Sequence, residues 1–274
     1  MTLPTLKELL AEVIKASDPI YKEFGTSVSA DTKSDETPVT KIDRLVNTTL
    51  CDWATKQGLG FIGEEGNGTQ RGFYTLYVDP LDGTEAFLRG LASMTTIATI
   101  MHNDGQRGTP IMAVIYNPVT CQTWVAEYDK GTQYTKRILL KPAQVANKQD
   151  GPWKTAICAW PGVDAQFATF DAVVDAHPQL LDQKMGAIGI GGGLIASGLL
   201  HATAISATSA VETAAMSLLV REAGGVAVNL HGEPLDSFRL GTHKEKLDYL
   251  LPDGAIMACN QELAQLLVNL YQQK

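Results

Sequence analysis

Asp79 and Asp82 stand three residues apart in the run Val78-Asp-Pro-Leu-Asp-Gly-Thr-Glu-Ala-Phe. Ionised carboxylates are acceptor-only oxygen donors, the ligand a hard divalent cation such as magnesium takes. Pro80 fixes its own φ and biases Asp79 towards an extended conformation, so the loop is stiff where the two carboxylates must converge. Gly83 and Thr84 follow where a helix can begin, and free N–H groups there suit an anion. Taken alone, the run also reads as an Asp-rich turn capping a helix. Further carboxylates elsewhere shift that balance, because unit charges about 4 Å apart repel by about 1 kcal/mol even in water and by several at lower dielectric. A cluster of carboxylates is therefore unfavourable unless cations occupy it. Such cations can lower the pKa of water, neutralise a phosphate and stabilise a leaving alkoxide.

The elements that must position these residues follow from periodicity. Leu6, Leu9, Leu10, Val13, Ile14, Ile20 and Phe24 recur at helical spacing and predict one helix over 5–24. After a polar segment, Thr40 to Asp43 opens a second helix carrying Ile42, Leu45, Val46, Thr49, Leu50 and Trp53. Thr40 and Asp43 have the spacing of a capping pair, which competes with a catalytic role for Asp43. Short β-rich runs come next: Phe61-Ile62, Tyr74–Val78, Met94–Met101, Ile111–Tyr116 and Thr123–Tyr128, with Asn117-Pro118 as a turn. Their close succession predicts an antiparallel sheet with both helices on one face.

Lys141 to Trp153, polar and holding Pro142, Gly151 and Pro152, separates two halves, residues 1–145 and 153–274. In the second half elements alternate: strand Thr155–Trp160, helix Val163–Ala176, a short strand near Ala187, strand Ala202–Ser206, helix Val211–Ala223, strands Val226–Asn229 and Ala255–Ala258, and helix Gln261–Tyr271. That alternation is the mark of an α/β arrangement. Glycines at 186, 189 and 191–193 invite a dinucleotide-binding reading, but from Gly189 the third required glycine falls on Leu194 and no acidic residue follows at the right distance. Close packing, or a distorted helix, is the better expectation for them.

Composition excludes several classes. The 274 residues, 45% apolar and 19% charged, describe an ordinary globular chain with ample core. The net charge is −8 and no lysine or arginine run forms a stripe, so no nucleic-acid polymer is expected as partner. No apolar run reaches the roughly 20 residues of a membrane span, and Met1 to Leu10 lacks a signal-peptide pattern. Cys51, Cys121, Cys158 and Cys259 are scattered, which suits free thiols in a reducing compartment. A cytoplasmic protein is the expectation.

Four segments then fall into order: Lys33 to Asp43, Gly63-Glu-Glu-Gly66, Asp79 to Thr84, and Glu212-Thr-Ala-Ala with Arg221-Glu-Ala-Gly-Gly225. Together they resemble the inositol monophosphatase superfamily of magnesium-dependent, lithium-sensitive phosphomonoesterases, over nearly the whole chain. The resemblance implies an αβαβα sandwich, with N-terminal α+β helices on an antiparallel sheet followed by a mixed-sheet α/β half. It implies a homodimer, a small phosphorylated substrate, and two or three magnesium ions. Glu64, Asp79 and the Leu81 carbonyl would hold the first ion, and Asp79, Asp82 and Glu212 the second. Thr84 would orient the attacking water, supported by Asp43 and Glu64. The N–H groups of Gly83 and Thr84 would hold the phosphate, with Glu65 a neighbour outside the ligand set.

The chain departs from that pattern at three places. Val211-Glu212 replaces the usual Trp-Asp, and the extra methylene carries the carboxylate too far unless the side chain folds back. His201 stands where an Asp is common, and no role is assigned to it. Ile205 falls where inositol-specific members carry a glutamate, which weakens the inositol reading. Lys33 to Thr40 and Gly232 to Asp236 resemble 3′(2′),5′-bisphosphate nucleotidases, whereas Glu85 to Leu91 resembles histidinol-phosphate phosphatases. His243 to Lys246 is a basic cluster that could meet a second phosphate or simply face solvent. The expected reaction is hydrolysis of an inositol monophosphate or a 3′(2′),5′-bisphosphate nucleotide. Histidinol phosphate and fructose 1,6-bisphosphate are the alternative substrates, and a catalytically impaired phosphate- or metal-binding regulator is the alternative of another class.

Overall fold

Thr5 opens helix α1 (Leu6–Ala16) through a reciprocal cap: Glu8 Oε2 accepts the Thr5 N–H at 2.7 Å, and the Thr5 hydroxyl accepts the Glu8 N–H at 3.3 Å. The single helix expected over 5–24 is in fact two. The chain breaks at Ser17, whose hydroxyl donates to the Val13 carbonyl at 2.7 Å, and α2 (Asp18–Glu23) starts afresh with Pro19 in its first turn. Proline has no N–H to continue the ladder of α1, so the apolar period runs on across an interrupted backbone. Strands β1 (Ala30–Thr32) and β2 (Pro38–Thr40) pair antiparallel and lead into α3 (Lys41–Lys56).

Strands β3 (Gly60–Gly63) and β4 (Tyr74–Asp82) follow, then α4 (Thr84–Leu88), β5 (Thr95–Asn103), β6 (Arg107–Asn117), β7 (Gln122–Glu127), β8 (Thr132–Lys136) and β9 (Lys141–Ala143). These seven strands lie side by side in chain order, antiparallel except that β3 runs parallel to β4. Farther on come β10 (Thr155–Trp160), β11 (Leu180–Asp182), α5 (Ile188–Ala196), β12 (Ala202–Ile205), β13 (Thr208–Ser209), α6 (Ala210–Glu222) and β14 (Val226–Val228). The chain closes with β15 (Phe238–Arg239), β16 (Leu250–Leu251), β17 (Ala255–Ala258) and α7 (Gln261–Gln272). The second sheet has the order β11-β10-β12-β17-β14; β10 is parallel to β11 and β12, and β17 is antiparallel to β12 and β14. The strand expected near Ala187 is not there: Ala187 caps the N-terminus of α5, and the short strand is β11.

This computed structural model describes residues 3–32, 38–65, 72–136, 141–143, 145, 155–160, 180–182, 185–205, 208–239, 250–251 and 253–272. Outside them fall Lys33 to Thr37, Gly66, most of the segment expected to separate two halves, the helix expected over Val163–Ala176, Ser206, and the basic cluster at 243–246.

Side-chain alternation along the strands sets the layers. Leu76, Val78, Ala98, Ile100 and Val114 pack with Leu9, Val13, Val46 and Leu50 of α1 and α3. The intervening residues Tyr77, Ile97, Ala113 and Ile115 point the other way and pack with Ile195, Ala214, Leu218 and Leu219 of α5 and α6. Met257 and Ala255 close that core from the second sheet. Ile256 and Ala258 on the same strand turn outward to Leu267 and Val268 of α7. The result is helix, sheet, helix, sheet, helix. Glycines make the middle layer thin: a Cβ on Gly193 would lie 2.5 Å from Trp124 Cδ2, and one on Gly192 would lie 2.6 Å from Met216 Cγ. Among the described residues no helix is long and apolar enough to cross a membrane, and Cys121 and Cys259 are free thiols.

Candidate active site

Period-two alternation alone would send Asp79 and Asp82 to opposite faces of β4. Against β5, Asp79 pairs with Ile97 and Asp82 with Thr95, so three steps on β4 match two on β5. That extra residue is a bulge at Pro80-Leu81, where proline has no N–H for the ladder. The bulge turns Asp82 onto the face of Ile97 and Tyr77, towards α5 and α6, while Leu81 faces α3. Both aspartates thus look into the same layer, and both are buried. Asp79 Oδ1 accepts the Leu81 N–H at 3.1 Å, which tightens the turn. Glu64 follows the end of β3, donates its N–H to the Val78 carbonyl at 3.0 Å, and shares a carboxyl–carboxyl hydrogen bond with Asp79.

Helix N-termini supply the other groups. Asp43 is the third residue of α3, and the capping pair read from Thr40 and Asp43 is present: Oδ2 accepts the Thr40 N–H at 2.8 Å and the Thr40 hydroxyl at 2.5 Å. Its other oxygen, Oδ1, lies 3.1 Å from Thr84 Oγ1. Cap and site group are therefore not alternatives, because each takes one oxygen. Thr84 Oγ1 is also 3.0 Å from the Leu81 carbonyl, and its single proton serves one acceptor at a time. Gly83, before Thr84, has φ 88°, and a Cβ on it would meet the Gly186 carbonyl at 2.7 Å. Both the left-handed backbone and the lack of space require glycine there.

Asp82 is met by the start of α5. The Ile188 N–H reaches Oδ1 at 2.9 Å and the Gly189 N–H reaches Oδ2 at 2.7 Å, while the Thr95 hydroxyl donates to Oδ2 at 2.6 Å. Glu212 sits in the first turn of α6 and does fold back: Oε2 takes the Thr208 hydroxyl at 2.9 Å, the Ser209 N–H at 3.1 Å and the Ser209 hydroxyl at 3.2 Å.

Electrostatics record the crowding. Burial, then the charges of Glu64, Asp82 and Glu212, hold Asp79 well above the usual carboxylate range. Burial lifts Asp82 to about 6 against the pull of Thr95, Gly189 and Ile188. Glu212 keeps some surface, yet burial of its carboxylate, with Glu64 and Asp82 nearby, pushes it to about 7 despite Ser209 and Thr208. Burial also raises Asp43, against hydrogen bonds from Thr40 and Thr84. Among the described residues no three His, Cys, Asp or Glu side chains stand, as placed, in a group that could hold a metal ion. The donor set nevertheless suits a hard divalent cation: it is all oxygen, and the carboxylates repel one another in its absence.

The family model for the inositol monophosphatase family matches residues 4–274. The chain belongs to that family. A histidinol-phosphatase of Mycobacterium tuberculosis is 28% identical over 237 residues, covering 81% of this chain and 86% of that protein. A 3′(2′),5′-bisphosphate nucleotidase of Haemophilus influenzae is 23% identical over 240 residues, covering 84% and 86%. Among solved structures, an IMPase of Thermotoga maritima superposes with a TM-score of 0.81 at 17% identity, covering 98% of this chain and 96% of that one. The last likeness shows the fold, a layered sandwich with a mixed sheet. This inositol monophosphatase family member is a phosphoric monoester hydrolase acting on small phosphorylated substrates, and the family is generally metal-dependent.

The structure brings Glu64, Asp79, Asp82 and Glu212 into mutual electrostatic contact, with Asp43, Leu81 and Thr84 linked beside them by hydrogen bonds. Sequence reasoning missed Thr95, Thr208 and Ser209, and the donor role of the α5 N-terminus. A threonine at the start of a strand carries no signature. The glycine at 189 did: a Cβ there would lie 2.9 Å from Asp82 Oδ2.

Proposed function

We propose that this chain hydrolyses a small phosphomonoester with magnesium held by Glu64, Asp79, the Leu81 carbonyl, Asp82 and Glu212. The observation that carries the reading is the convergence of four carboxylates from three segments on one face, with Asp79, Asp82 and Glu212 each raised first by burial and further by the charge of nearby carboxylates. Magnesium bound there would supply Lewis acidity towards the phosphoryl group and a lowered pKa for water. Thr84 orients the attacking water: when its proton lies on Asp43 Oδ1, its oxygen is left to accept from that water. Asp43 is fixed for this by Thr40, and Glu64 lies on the same side of the sheet. The N–H groups of Gly83 and Thr84, at the start of α4, hold the phosphate. The family's homodimer and a cytoplasmic location belong to the same reading.

For the leaving group, an inositol monophosphate or a 3′(2′),5′-bisphosphate nucleotide is the first reading. The resemblance places at Ile205 the glutamate that contacts substrate hydroxyls in inositol-specific members; here the residue is apolar and buried, which favours the nucleotide of these two. Histidinol phosphate is the alternative that the Mycobacterium relative supports, and fructose 1,6-bisphosphate is another. The test is a panel of inositol 1-phosphate, 3′-phosphoadenosine 5′-phosphate, histidinol phosphate and fructose 1,6-bisphosphate, assayed with magnesium, with and without lithium. Magnesium-dependent, lithium-sensitive release of phosphate from at least one ester is expected. Binding of phosphate without turnover of any ester would instead mark an impaired, regulatory member.

A further inference from the structure

Asp82 is held from three directions, and the way its lone pairs are used has a chemical consequence. A carboxylate offers about four lone-pair positions. Oδ2 receives two donors, the Gly189 N–H at 2.7 Å and the Thr95 hydroxyl at 2.6 Å, and Oδ1 receives one, the Ile188 N–H at 2.9 Å. Oδ2 is filled, and Oδ1 keeps a single open position. Thr95 is fully buried, stands directly across from Asp82 on β5, and is placed there by the bulge at Pro80-Leu81. Gly189 completes the clamp only because it lacks a side chain: a Cβ would lie 2.8 Å from Thr95 Oγ1. On Glu212 the donors also gather on one oxygen: the Ser209 N–H and the Thr208 and Ser209 hydroxyls all reach Oε2, the Thr208 hydroxyl being shared with Thr213.

We propose that Thr95 is a positioning residue that makes Asp82 a one-oxygen ligand, and that it thereby sets which divalent cation the site prefers. The inference rests on the metal role proposed for Asp82. Magnesium demands a near-octahedral shell and takes single carboxylate oxygens, whereas calcium accepts six to eight oxygens and readily closes on both oxygens of one carboxylate. With Oδ2 occupied, Asp82 cannot chelate through both oxygens. Removing the Thr95 hydroxyl opens one position on Oδ2, loosens the carboxylate about its last bond, and lets it turn both oxygens to a larger ion.

The test uses the full chain carrying Thr95→Val, which keeps shape and loses the donor, and Thr95→Ser, which keeps the donor. Magnesium and calcium binding are measured separately by isothermal titration calorimetry, with circular dichroism to verify folding. Thr95→Val is expected to bind magnesium about ten- to a hundredfold more weakly, the range for partners that orient a ligand. Its calcium affinity should fall less or rise, so the magnesium-to-calcium ratio drops at least about fivefold; Thr95→Ser should restore the ratio. Should Thr95→Val fail to fold, Thr95→Ala poses the same question. An unchanged ratio, whether both affinities hold or both fall together, would overturn the proposal. Asp82→Asn separates this failure from that of the underlying reading: if it leaves wild-type magnesium binding intact, Asp82 is no ligand and both ideas fall. If it abolishes binding while Thr95→Val keeps the wild-type ratio, only the positioning role fails.

Discussion

Replacing Glu212 by glutamine should flatten the pH dependence of stability of the cation-free protein. Burial and the charges of Glu64 and Asp82 raise the Glu212 carboxyl from an ordinary 4.5 to about 7. The folded state then holds its proton to a higher pH than the unfolded chain does. Across that interval the native state binds more protons, so stability falls as pH rises from about 4.5 to 7 and is level above. At about 1.4 kcal/mol per unit the loss is roughly 3 kcal/mol. For a chain of this size that corresponds to roughly 6 °C in the unfolding midpoint. Glutamine carries no charge at any pH in the window and can still accept the Ser209 N–H, so the variant should gain on the wild type by that amount between pH 5 and 8. Thermal unfolding followed by circular dichroism in the presence of a chelator measures it. Magnesium should erase much of the difference by favouring the ionised wild-type carboxylate, and more so at pH 8 than at pH 5. Parallel wild-type and variant curves across the window, or a wild type that gains on the variant as pH rises, would refute the crowding argument.

Three other outcomes follow from the same geometry. Asp82→Asn should retain the native circular dichroism spectrum yet reduce turnover to below about one hundredth of wild type, the scale of losing one electrostatic group at a reacting centre; near-normal turnover would count against a metal role. Glu212→Asp should raise the affinity for the second magnesium, seen as activity saturating at lower magnesium, whereas an unchanged or higher requirement would count against Glu212 as a strained ligand. Gly189→Ala should cost roughly 1–3 kcal/mol in denaturant unfolding, because its Cβ would meet Ile97, Thr95 and Asp82 at 2.8 to 2.9 Å.

Much of the fold and site is legible in the chain because local chemistry agrees with the tertiary result. Thr40 and Asp43 read as a cap and are one. Alternation in β4 and β5 separates the two cores. The crowded glycines of α5 read as close packing, and Trp124 and Met216 supply it. What periodicity could not register is interruption. The break at Ser17 lies inside a continuous apolar stripe, and the apolar stretch around Ala187 looks like a strand until its N–H groups find Asp82. Contacts between distant segments were also invisible: nothing local announces that Thr95 serves Asp82. Ser209 and Glu212 differ, because Ser-x-x-Glu has the spacing of a capping box, and Glu212 does fold back onto the Ser209 N–H. The bulge lies between these cases. Pro80 advertises a defect in the ladder, but only the register with β5 shows that it turns both aspartates to one side.

Crystals soaked in manganese and measured at its absorption edge would test most directly whether these carboxylates meet around cations. Anomalous density is predicted among Glu64, Asp79, Asp82 and Glu212, at manganese concentrations that support ester hydrolysis. Active enzyme with no density there, or with density only at another place, would contradict the account.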